Sequence, residues 1–111
     1  MLFKLPVYKK NRVVLVNLND VVHFRAEGHY TNVYTENEQF LCNLSLSDLE
    51  TRLDSMQYVR VHRIHMINIR FACAFEKVDE QCAIIIKTKD EARIPVSRSN
   101  VQKLKSMLGL S

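Results

Sequence analysis

The feature that most constrains the fold is a series of short runs rich in β-branched and aromatic residues, separated by two or three polar residues. β-Branched residues dominate RVVLVNL at 12–18, and Asn19 with Asp20 then forms a turn signal. VVHFR at 21–25 resumes a strand that Gly28 breaks. YTNVYT at 30–35 alternates as a half-buried strand does. After a polar turn at 36–38, residues 39–44 return as its hairpin partner.

The period then changes. Leu46, Leu49, Leu53 and Met56 recur at helical spacing behind Ser45, with Asp48 three residues on, which predicts one capped helix of about ten residues. Residues 58–75 read as one long β-rich run with basic residues interleaved. Beyond a turn at 79–81, Ala83, Ile84, Ile85 and Ile86 give residues 82–87 a continuous apolar centre, as in a strand covered on both faces. Another turn at 89–91 leads to a strand at 93–96, and Pro95 consigns it to a sheet edge or a strand end. From Ser99 the pattern is helical, with Val101, Leu104 and Leu108 on one face and Gly109 as C-terminal cap. The expected architecture is mainly β, antiparallel, with two short helices. These are too few and too short for a recognition helix, so any nucleic-acid contact must come from strands or loops.

The 111 residues fit one domain, expected at 10–111, with residues 1–9 as a preceding basic strand or arm. No segment approaches the roughly 18 consecutive apolar residues of a membrane span. The N-terminal apolar stretch is too short for a secretory leader, and the expected location is cytoplasmic. Cys42, Cys73 and Cys82 are an odd set without a CxxC pair, which points to buried reduced thiols rather than disulfides or zinc. His62 and His65 stand three apart in a strand-like run, where that spacing places them on opposite faces, so no metal is expected. No catalytic residue and no cofactor is expected either. Ser45, Ser47, Ser97 and Ser99 sit at helix starts where capping explains them, and the acid pairs at 79–80 and 90–91 fall in turns.

The net charge of +4 is modest, but its placement is informative. Residues 1–12, 55–75 and 92–111 carry Lys or Arg and no acid. Separated basic zones suit a polyanion touched at several points. Within 59–68, Arg60, His62, Arg63, His65 and Asn68 form an acid-free cluster, and Arg and Asn make bidentate contacts to guanine and adenine.

YVRVHRIHMIN at 58–68 resembles the signature of the LytTR family, an aromatic residue followed by v-R-v-H-R-S-y-i-V-N. VVHFRAEGHY at 21–30, LSLSDLE at 44–50 and IPVSR at 94–98 resemble the family's other landmarks, in order. Such a resemblance implies small antiparallel sheets in an elongated β-sandwich-like stack, and the output domain of a bacterial response regulator of a two-component system. It implies sequence-specific binding of double-stranded promoter or operator repeats, by loops that enter successive major grooves and bend the duplex. A homodimer on DNA fits this picture; a membrane or a small-molecule substrate does not. Carried over residue by residue, the base contacts are His29 or Thr31, then Arg63, then Arg98. Asn32, His65, Ser97, Ser99 and Asn100 are further contacts, Arg60 and His62 anchor the fold or a phosphate, and Tyr30 and Asn68 serve packing and backbone bonding. Ile64 and His65 depart from the usual Ser and aromatic residue, which leaves the base preference open. The family carries a receiver or sensor domain upstream, so the chain is either a piece of such a regulator or a stand-alone one. A protein-interaction module that kept the fold without DNA binding, such as an anti-repressor, is the alternative. An RNA-binding β domain would want a cluster of exposed aromatics, and the chain has no Trp.

Overall fold

Consecutive strands joined by tight turns pair with their neighbours, and that rule builds most of this protein. The computed structural model describes residues 2–110. Its elements run β1 (Lys4–Lys9), β2 (Arg12–Asn17), β3 (His23–Glu27), β4 (Tyr30–Tyr34), β5 (Gln39–Cys42), α1 (Leu46–Arg52), β6 (Tyr58–His62), β7 (His65–Asn68), β8 (Ala72–Val78), β9 (Gln81–Lys87), β10 (Glu91–Val96) and α2 (Arg98–Met107). Seven strands form one antiparallel sheet in the order β2-β1-β5-β4-β3-β7-β6, and three form a second in the order β10-β9-β8. The extents, 44 × 29 × 24 Å, make the domain elongated, as expected of stacked small sheets.

Two apolar cores result. Phe24, Leu5, Val7, Val33 and Met66 close the first, together with Leu46 and Leu49 of α1. Val59, Val61 and Ile67 meet Ile84, Ile86 and Ile94 of the second sheet and Leu104 of α2 in the other. β9 is the central strand of its sheet, with Ala83, Ile84 and Ile86 buried, and Pro95 lies on an edge strand where its missing N–H is tolerated.

Several expectations need correction. Of the strand or arm expected at residues 1–9, Lys4–Lys9 form strand β1, which sits between β2 and β5 with Leu5 and Val7 fully buried. The capping box of Ser45 and Asp48 forms, but α1 has seven residues, not about ten. The chain turns extended at Leu53, and Asp54 then accepts from the backbone N–H of Met56 through its carboxylate and from Gln57 and Tyr58 through its carbonyl. That local turn competes successfully with another helical turn and leaves Met56 exposed. The run at 58–75 is broken by a turn at Arg63 and Ile64 and by a short 3-10 turn at Ile69–Phe71. Cys42 is buried as expected, but Cys82 is half-buried and Cys73 exposed. Cys73 lies on edge strand β8, where the register shifts between Ala72 and Ala74.

Asn68 joins these layers. It is fully buried, its Nδ2 donates to the Val21 carbonyl at 2.8 Å and its Oδ1 accepts from the Arg70 N–H at 3.1 Å. Asn68→Ala should lower unfolding free energy by about 1–3 kcal/mol, because it strands a buried carbonyl. Urea denaturation checks this, and a loss below about 0.5 kcal/mol would leave Asn68 without the linking role.

Candidate nucleic-acid interface

Strand register decides which loops share an end of the sheet. Arg25 of β3 pairs with His65 of β7, and the Ala26 N–H donates to the Ile64 carbonyl at 2.8 Å. The β3–β4 turn at Gly28 and His29 therefore emerges beside the β6–β7 turn at Arg63 and Ile64. Gly28 has φ +58°, a left-handed conformation that glycine adopts freely. The junction between β10 and α2 joins the same end. The Ser97 N–H donates to the Val61 carbonyl at 2.9 Å, and Lys103 Nζ to the Arg60 carbonyl at 3.4 Å.

Arg60, His62 and Arg63 together with Ser97, Ser99 and Asn100 line a shallow groove of about 540 Å³, to which Glu50 and Lys103 also contribute. His29, Arg63 and Arg98 are exposed. Among the described residues no hydrogen bond or ion pair engages the guanidinium of Arg63 or of Arg98. Asn100 Nδ2 donates to Ser97 Oγ at 2.6 Å, and Ser97 caps α2 without a side-chain bond to its backbone, contrary to the capping role expected of it.

Other expected contacts lie behind this surface. Thr31 is 1% exposed and its hydroxyl donates to the Leu44 carbonyl at 2.7 Å, so it offers nothing to a base in this conformation. Asn32 is 3% exposed, donating to Glu27 at 2.6 Å and accepting from Gln39 at 3.1 Å. Tyr30, expected to pack, is instead exposed beside the turn. His62 and His65 do not point to opposite faces. The chain reverses between them and sets them opposite one another, ring centroids 5.4 Å apart. His65 is buried, stacks on His23 at 5.1 Å, and shares a hydrogen bond of 3.0 Å between its Nδ1 and His23 Nε2. Among the described residues no group of three His, Cys, Asp or Glu is arranged to hold a metal ion.

The basic zone at residues 1–12 lies elsewhere. Tyr8 pairs with Leu41, a register that runs β1 toward the turn at 36–38, and Lys9 bonds Glu38 at 2.8 Å. That end is opposite to His29 along β4. Glu50, Lys103 and His23 near the candidate surface were not expected there, and Ser47, expected to cap a helix, accepts instead from Arg60 Nη1 at 3.2 Å. Lys103 alone carried a signal, three residues after Asn100 on a helix.

The surface so assembled belongs to a small antiparallel β domain that offers hairpin tips and a helix start at one end, with arginines unpaired among the described residues. The chain is a member of the LytTR family: the family's profile, described as the LytTr DNA-binding domain, matches residues 11–109. It is 47% identical over 109 residues to the heme-containing CO-sensing transcriptional regulator RcoM 1 of Paraburkholderia xenovorans, covering 98% of this chain and 41% of that protein. It is 27% identical over 105 residues to the sensory transduction protein LytT of Bacillus subtilis, covering 95% and 43%. The chain thus spans about two-fifths of the length of these curated relatives. A solved LytTr DNA-binding domain of a Bacillus cereus response regulator superposes with a TM-score of 0.88 over 99% of this chain and 100% of that one. At 20% identity, what the two share is the fold.

The histidines behind the turn are held neutral. Burial first, then the charges of His65 and Arg25, pushes His23 down from 6.5 to about 3. Burial, then His62 and Arg25, pushes His65 down from 6.5 to about 4. Below pH 6.5 the unfolded chain protonates both while the folded chain does not, so stability falls as pH falls toward those values. The loss is roughly 2 kcal/mol by about pH 5 for His23, the more strongly desolvated of the two, and smaller for His65. Urea midpoints at about pH 7.5 and about pH 5 measure it, and His23→Phe should flatten the difference. Equal stability at both pH values in the parent chain would contradict neutral burial.

Proposed function

We propose that this domain binds double-stranded DNA sequence-specifically as the output module of a transcriptional regulator, with His29, Arg63 and Arg98 as its base contacts. The observation that carries this reading is the placement of three turns, joined by backbone hydrogen bonds, at one end where the Arg63 and Arg98 guanidiniums are unpaired among the described residues. An Arg fork matches the O6 and N7 acceptors of guanine. Ser97, Ser99, Asn100 and Lys103, which line the same groove, supply the phosphate contacts that fix orientation in this reading. Thr31, Asn32 and His65 support the turns from behind. The likeness to regulators such as RcoM 1, over nearly the whole chain, favours a role in transcription, in the cytoplasm of a bacterium. Two copies on operator repeats follow the usual logic of half-sites.

We further propose that the tips enter successive major grooves and bend the duplex. A straight helix carries its second groove away from a flat protein end, and bending toward the protein brings both within reach. The elastic cost is about 1–6 kcal/mol, offset by the added contacts. With a net charge of +4, base contacts and shape must supplement phosphate attraction.

Arg63→Ala should weaken binding to a selected operator by about 1–3 kcal/mol and change binding to random duplex less, as fluorescence anisotropy would read. Equal losses on both would reassign Arg63 to a phosphate. Circular-permutation gel shifts should show mobility that varies with the position of the site. Constant mobility, with protection confined to one groove, would sink the two-groove arrangement.

A further inference from the structure

The β6–β7 hairpin presents Arg63 from a tip that the sheet itself secures poorly. Its register breaks between Arg60 and His62, so the strand ladder loses its regular bonds two residues before the turn. Side chains take over. His62 Nδ1 accepts from the Ile64 N–H at 3.3 Å, and Arg60 Nη2 donates to the Arg63 carbonyl at 2.5 Å. The other arm of the same guanidinium, Nη1, donates to Glu50 Oε1 at 2.7 Å and to Ser47 Oγ at 3.2 Å. Both partners belong to α1, which the core fixes through Leu46 and Leu49.

We infer that Arg60 is a positioning residue for the DNA-contacting tip rather than a DNA contact, and that Glu50 is the group that holds it to this task. Resting on the DNA-binding function proposed above, this explains why a carboxylate stands in a groove otherwise lined by cationic and neutral side chains. Facing a polyanion, Glu50 alone would weaken association. Paired with Arg60, it turns the guanidinium toward α1 and the tip, and the rigid planar fork then fixes the Arg63 backbone from which the base-reading side chain projects. The Lys103 contact to the Arg60 carbonyl ties the middle of α2 to the same residue, which couples the hairpin to the helix that carries Arg98.

The test compares affinities of the full chain for a duplex selected from a random library and for a scrambled duplex, across about 50 to 200 mM salt. Arg60→Gln should weaken binding to the selected duplex ~10-fold and binding to the scrambled duplex less than ~2-fold, with the salt slope unchanged. Arg60→Lys should lose the same selectivity although it keeps the charge, because an ammonium cannot fork. Equal losses on both duplexes, with a slope shallower by about 0.9 for Arg60→Gln, would make Arg60 a phosphate contact and overturn the inference. Should Arg60→Gln not fold by circular dichroism, Glu50→Gln serves instead. It should reduce the selected-over-scrambled ratio ~3-fold or more while scrambled binding holds or rises, since an anionic charge has left the groove. An unchanged or improved ratio in Glu50→Gln would overturn the inference. A parent chain that prefers no selected duplex would overturn the DNA-binding function itself, before either variant is measured.

Discussion

The pairing of β3 with β7 joins two hairpins through residues 40 to 44 apart in sequence, and the other layers are placed by it. His23 opposes Ile67, Phe24 opposes Met66 and Arg25 opposes His65. Met66 enters the first core and its neighbour Ile67 the second, so this short strand is buried on both faces. A slip of one residue would exchange the two between cores, the penalty that fixes a register most firmly. The same register delivers the turns at 28–29 and 63–64 to one end. Backbone bonds from Ala26 to Ile64 and from Asn68 to Val22 bracket the pairing on either side.

How much of this was legible in the sequence depended on whether local chemistry agreed with tertiary demand. β9, β10 and α2 announced themselves because an apolar run, alternation or a helical face coincided with the burial each element meets. β2 and β4 were instead legible from their β-branched and aromatic residues, although Val13 and Leu15 stay exposed and Thr31, Asn32 and Val33 are all buried. The capping box announced the start of α1, whereas its end was hidden, since Leu53 and Met56 continue the helical spacing and only the turn built on Asp54 stops it. The β6–β7 turn was hidden more deeply. Arg63 and Ile64 carry none of the Gly, Asn or Pro that usually marks a hairpin. The turn is held by Arg60 and His62 side chains, whose partners become visible only after folding.

The candidate surface divides along the same line. Residue type suggested His29, Arg63 and Arg98, and all three are exposed. Residue type could not separate Thr31, Asn32 and His65 from them. Each is polar and lies within three residues of a turn, but each satisfies its polar atoms inside the protein. A buried polar group with partners is as compatible with sequence as an exposed one awaiting a ligand. The family resemblance carried the expectation of DNA. The geometry decided which of the matched positions stand at the surface.

The burial of neutral histidines behind a charged tip has a physical logic. A cation stacked beneath Arg63 would need desolvation and would repel Arg25 and its neighbours, whereas a neutral imidazole both donates and accepts and stacks on a second ring. The His23 and His65 pair can therefore be rigid and polar without adding charge. Positive charge near the tip then resides in guanidiniums whose directions differ. Arg60 faces inward to α1, while Arg63 and Arg98 are exposed and unpaired among the described residues. With so small a net charge, the direction of each guanidinium counts for more than a diffuse field, and the histidine stack and the Arg60 fork are the contacts that brace the hairpin.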